Sequence, residues 1–121
     1  MPLVLVHYQP GVAAESLLRL TPVLCATVSR LLRREDQGRE IVVTPDMVKV
    51  RFVAASTMDH NMPDVLVEVE ARAYASRLPG AEAMAAALGD ALAPVLPPTT
   101  SCGVWFKLCV GGWHLTRGSW W

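Results

Sequence analysis

A chain of 121 residues has room for one hydrophobic core, and a single domain over 1–121 is expected. It is 52% hydrophobic with a mean hydropathy of +0.31, high for so short a chain, so part of that surface is expected to be buried between subunits. Its 11 basic and 11 acidic residues cancel, which argues against nucleic-acid binding by bulk electrostatics.

No stretch of about 18 residues is both apolar and uncharged, which argues against a membrane span. The N-terminus lacks the basic stretch and small-residue cleavage site of a signal peptide, so a cytoplasmic location is expected. Cys25, Cys102 and Cys109 form no C-x-x-C pair. Cys25 and Cys109 read as small core residues of a reducing compartment. His7, His60 and His114 lack metal-ligand spacing, and no metal or other cofactor is expected.

Residues 2–8 predict a buried strand, closed by the turn Gln9-Pro10-Gly11. Residues 13–34 predict a helix, with Leu17, Leu20, Leu24, Val28 and Leu31 on one stripe. Pro22 interrupts the run, but the stripe keeps its phase across it, so one kinked helix is expected rather than two. Arg33 to Arg39 reads as a polar exit, Ile41-Val42-Val43 as a short edge strand, and Thr44-Pro45-Asp46 as a turn. Residues 47–54 predict a second strand with Lys49 and Arg51 on one face and Val48, Val50 and Phe52 on the other. Residues 55–63 form a polar connector.

The plan then repeats. Met62-Pro63-Asp64-Val65-Leu66-Val67 echoes Met1-Pro2-Leu3-Val4-Leu5-Val6. Residues 64–74 predict a strand with Glu68, Glu70 and Arg72 on one face, Ser76 to Gly80 a turn, 81–93 a helix ended by Pro94, and 103–110 a fourth strand. A tail over 111–121 holds three tryptophans and shows no period. A helix between two strands of one sheet makes a parallel pair. Two such units, 1–61 and 62–110, give an α+β fold: a four-stranded mixed sheet with both helices on one face. The other face is then bare, and its apolar positions call for a cover by a second subunit.

Pro2 at the start of a first strand, the doubled β-α-β unit and the cation of Val48-Lys49-Val50 together resemble the tautomerase superfamily, over residues 1 to about 110. The resemblance implies a trimer with its sites between subunits. It implies Pro2 as the acid–base residue once removal of Met1 frees its nitrogen as a secondary amine. Lys49 stands where the family phrase has an arginine that binds a substrate carboxylate. A lysine offers a point charge there in place of a bidentate fork. Arg77 is similar to a family arginine at the turn after the strand. The matching turn of the first unit, Pro10-Gly11-Val12, carries no cation. Trp105 and Lys107 fall where one branch of the family lends an aromatic and a polar residue to a neighbouring subunit.

These residue types suit proton transfer between carbon and oxygen, which needs a group with pKa near the working pH. Apolar surroundings and the cations Lys49, Lys107 and Arg77 disfavour a protonated proline and lower its pKa. The same cations, with Arg51 on the Lys49 face, would hold a small-molecule carboxylate and stabilise developing enolate charge. Trp105 and Phe52 would exclude water. The expected activity is a cofactor-free keto–enol tautomerase or isomerase acting on a small carboxylated enol or unsaturated keto acid. The competing readings on the same fold are a non-catalytic oligomeric binding protein and a biosynthetic accessory protein whose Trp-rich tail shapes a pocket.

Overall fold

In the computed structural model the structure describes residues 2–74, 76–110 and 116–117. The expectations for Met1, His114 and the tail tryptophans lie outside these residues. Strand β1 (Leu3–Tyr8) alternates as its sequence requires, with Val4 and Val6 fully buried on one face. Helix α1 (Ala14–Leu32) runs unbroken through Pro22 and buries Leu17, Leu20, Leu24, Val28 and Leu32. The stripe thus ends on Leu32, one residue beyond the expected Leu31.

The segment after α1 differs from expectation. It is a hairpin, β2 (Arg34–Asp36) against β3 (Arg39–Ile41), forming its own two-stranded sheet. Its two turn residues, Gln37 (φ 51°) and Gly38 (φ 77°), are both left-handed. That is the backbone a two-residue hairpin turn needs if the strands are to keep their right-handed twist. The apolar run Ile41-Val42-Val43 suggested an edge strand, but pairing stops at Ile41, and Val43 turns inward and is buried. A single 3-10 turn (Pro45–Met47) then leads into β4 (Lys49–Ala54).

The second unit holds β5 (Val65–Arg72), α2 (Ala81–Leu92) and β6 (Cys102–Cys109). β1 pairs parallel with β4, β5 pairs parallel with β6, and the two units join where β1 meets β5 antiparallel. The sheet order is β4-β1-β5-β6. Both helices pack on one face, over Val4, Val6, Val65, Val67, Val69 and Phe106, and against each other. Burying these side chains stabilises each by about 1.5–3 kcal/mol relative to leaving it in water.

The opposite face carries the charged residues of the strand patterns among its apolar positions. Register places three rows across it. Lys49, Leu3, Glu70 and Lys107 make the first, Arg51, Leu5, Glu68 and Trp105 the second, and Val53, His7, Leu66 and Gly103 the third. Two rows mix charges with leucine. Cys109, expected in the core, is exposed, because a residue at the end of the edge strand β6 has little packed over it; Cys25 is half-buried. Among the described residues no helix is long and apolar enough to cross a membrane, and no three ligand side chains gather to hold a metal ion.

Candidate active site

Pro2 is buried at the start of β1, and its carbonyl accepts the Lys49 N–H at 3.0 Å. Because Leu3 pairs with Lys49 on one side and with Glu70 on the other, Pro2 lies at the end of the sheet where β4 begins and β5 finishes. Glu70 in turn pairs with Lys107 on β6. The row Lys49–Leu3–Glu70–Lys107 is therefore the first on the bare face beside Pro2. Register brings together residues that lie far apart in the sequence.

The expected substrate cations have different surroundings. Lys49 and Arg51 make no ion pair within 4 Å among the described residues. Lys107 Nζ lies 3.2 Å from Glu68 Oε2 and 3.5 Å from Glu70 Oε1. The hydrogen bond to Glu68, with the charges of both carboxylates, holds its ammonium above the usual lysine range. The same Nζ sits 5.7 Å from the centre of the Trp105 ring, which is 60% exposed. Trp105 stands in the second row beside Glu68, one step further from Pro2.

Arg77 is only 3% exposed. Its Nη1 donates to the Arg72 carbonyl at 2.9 Å and its Nη2 to the Leu32 carbonyl at 2.8 Å, while Nε has no partner. It thus ties the last turn of α1 to the end of β5, a favourable place for a cation at a helix C-terminus. Burial pushes its pKa down, and the Tyr74 ring lies 4.7 Å beneath its guanidinium. Arg72 approaches the same ring at 5.3 Å.

Glu68, Glu70 and His7 also belong to this surface, and sequence reasoning gave them no role in the site. His7 Nε2 lies 3.3 Å from Glu68 Oε1, close but not aligned for a hydrogen bond. The two glutamates were visible as one strand face. Their link to Lys107 was not, because residues 37 and 39 positions apart meet only through strand register. Two glutamates beside Lys107 reduce the positive field that the sequence placed around Pro2. Of the three cations expected to act on the proline nitrogen, Lys49 makes no ion pair within 4 Å among the described residues, Lys107 is paired, and Arg77 bonds to backbone. The arrangement can hold one carboxylate near Pro2, at Lys49, beside Leu3 and Leu5 of the neighbouring strand, while Trp105 stands on the opposite edge of the sheet.

Two β-α-β units joined across an antiparallel seam, with both helices on one face, make a fold that this chain shares with several solved structures. The structure is similar to a fused 4-OT described as a symmetric trimer, at 17% identity over 88% of this chain and 85% of that one, with a TM-score of 0.58. It is similar to Leishmania major MIF2, at 15% identity over 94% of each chain, with a TM-score of 0.55. It is also similar to a 5-carboxymethyl-2-hydroxymuconate delta-isomerase, at 18% identity over 99% of this chain and 90% of that one, with a TM-score of 0.56. No protein-family model and no curated protein matches the chain.

Proposed function

We propose that the chain is a cofactor-free keto–enol tautomerase or isomerase, with the Pro2 nitrogen as general acid and base once Met1 is removed. The observation that carries this reading is the position of Pro2, buried at the end of a tautomerase-type sheet and one residue pair from Lys49, a cation without a carboxylate partner among the described residues. A neutral proline amine there removes a proton alpha to a carbonyl and returns it to a conjugated atom. Lys49 binds the carboxylate of the substrate and stabilises the enolate as it forms. Arg51 and Trp105, in the next row, line the approach, and in this reading Lys107 orients through its glutamates. The substrate class is a small carboxylated enol or unsaturated keto acid.

In the same proposal the protein works in the cytoplasm as a homotrimer, as the fused 4-OT is described to be, with the bare sheet face turned toward neighbouring subunits. A second reading, a non-catalytic binding protein on this fold, is favoured by the occupied states of Lys107 and Arg77.

The test is ketonisation of an aryl enolpyruvate, followed by ultraviolet absorbance, with protein whose intact mass shows loss of Met1. Wild type should turn the substrate over, and Pro2→Ala should lower kcat/KM by about 100-fold or more. Turnover that is absent, or unchanged in Pro2→Ala, would leave the binding-protein reading.

A further inference from the structure

A concavity lies at the end of β1 and β4 away from Pro2. It has a volume of about 300 Å³ and is walled by the strand ends His7–Gln9 and Val53–Ala54, the start of the following connector, and Met62-Pro63. β1 and β4 run parallel, so both present their C-terminal ends to it. That is where open sheets with parallel strands form ligand crevices. Along β1 the steps from Pro2 to His7 separate this pocket from Pro2 by about 17 Å, at about 3.3 Å per residue. The size falls at the lower end of small-molecule sites.

The chemistry of its lining is one-sided. Tyr8, Val53, Ala54, Met62 and Pro63 supply apolar surface, and Asp59 is the one carboxylate among the described lining residues. Among the described residues no lysine or arginine lines it. Asp59 Oδ2 accepts the Ser56 N–H at 3.0 Å, which holds the carboxylate in place against the connector. His7, the other titratable wall residue beside Tyr8, is backed by Glu68 at 3.3 Å. An anion entering here would meet Asp59, with Glu68 behind the wall. A cation with an apolar body would meet a fixed carboxylate, an aromatic residue and a thioether, groups that favour it.

We infer that this pocket is a binding site, away from the Pro2 end, for a small organic ammonium compound carrying an apolar or aromatic group. The carboxylate of Asp59 is the charge anchor, and Tyr8 and Met62 are the apolar walls.

The probe is benzylamine, titrated into ¹⁵N-labelled full-length protein at neutral pH and followed by amide shifts. Benzylammonium should give saturable shifts at residues 7–9, 53–56, 59 and 62. Benzoate, with the same ring and the opposite charge, should not. Asp59→Asn keeps an oxygen able to accept the Ser56 N–H and removes only the charge, so the loop should hold while affinity falls about tenfold. Shifts elsewhere, equal binding of benzoate, or undiminished affinity in Asp59→Asn would each overturn the inference. Pro2→Ala should bind benzylamine like wild type, and Asp59→Asn should keep wild-type enolpyruvate turnover. The outcome is therefore independent of the tautomerase proposal.

Discussion

At the scale of single residues, Arg77 and Lys107 are both engaged within the chain, Arg77 with two backbone carbonyls and Lys107 with two glutamates. Arg77 satisfies two backbone carbonyls that no other described side chain reaches. Arg77→Ala would leave the Leu32 and Arg72 carbonyls without this donor and open a gap beside Tyr74. We expect a loss of about 3 kcal/mol, read as a lower urea midpoint. Arg77→Lys should recover part of that loss, since a lysine reaches one carbonyl with a point charge. A large rise in KM with unchanged stability would instead assign Arg77 to substrate.

Lys107 gives a pH signature. Its folded pKa is raised above the reference value of 10.5, chiefly by the Glu68 hydrogen bond. A raised pKa on a basic group means that its contribution to stability is fully present below the unfolded pKa and is lost as pH rises through the folded one. The Tm of wild type should therefore exceed that of Lys107→Met at neutral pH. The gap should close as the solution is taken above the lysine range, and a gap that widens there would contradict the pairing. The pair is partly exposed, so the difference should also shrink in salt.

At the scale of elements, the β2–β3 hairpin is the feature that the periodicities did not show. Each of its strands is three residues long, too short for alternation to register, and both are charged. The one signal present was Gln37-Gly38, a glycine second in a two-residue turn. Gly38 sits at φ 77° with open space around it, so a side chain there meets a conformational penalty and no clash. Gly38→Ala should cost about 1 kcal/mol, measured by urea unfolding, and should leave the rest of the fold intact. Longer elements were legible because their patterns are long. α1 spans 19 residues with a continuous stripe, and β5 alternates buried and half-buried side chains along nearly its whole length. Pro22 did not split α1, because the buried leucines on both sides keep one face against the sheet, and that packing outweighs one lost backbone hydrogen bond.

At the scale of the whole molecule, the bare sheet face is the surface not covered by the two helices. It carries Lys49 and Arg51 at one edge and Glu68 and Glu70 toward the middle, interleaved with Leu3, Leu5 and Trp105. Opposite charges on one face suit association between copies, and they resist random aggregation better than an apolar face would. Sedimentation should give a particle of three times the 13.2 kDa chain mass. Arg51→Glu would place a like charge among the glutamates and should shift the equilibrium toward single chains, with loss of turnover if the site lies between subunits. A monomer at working concentration would remove the trimer from the proposal.

Much of this was present in the linear order of residues. The doubled Met-Pro phrase, the helical stripes and the alternation of Val4, Val6, Val65, Val67 and Val69 define two β-α-β units, because local periodicity determines which face of each element is apolar. The same order placed Pro2 at the head of a strand and Lys49 on the far face from Val48. Only the folded sheet decided what stands beside Pro2. Antiparallel register at the β1–β5 seam puts Glu70 next to Leu3, and parallel register at β6 puts Lys107 next to Glu70. The fold thus separated Lys49, which has no ion pair within 4 Å among the described residues, from Lys107 and Arg77, which are engaged. Side-chain period is local and can be read along a chain, whereas the pairing of charges depends on register between distant strands, which packing sets only when the whole sheet closes on its core.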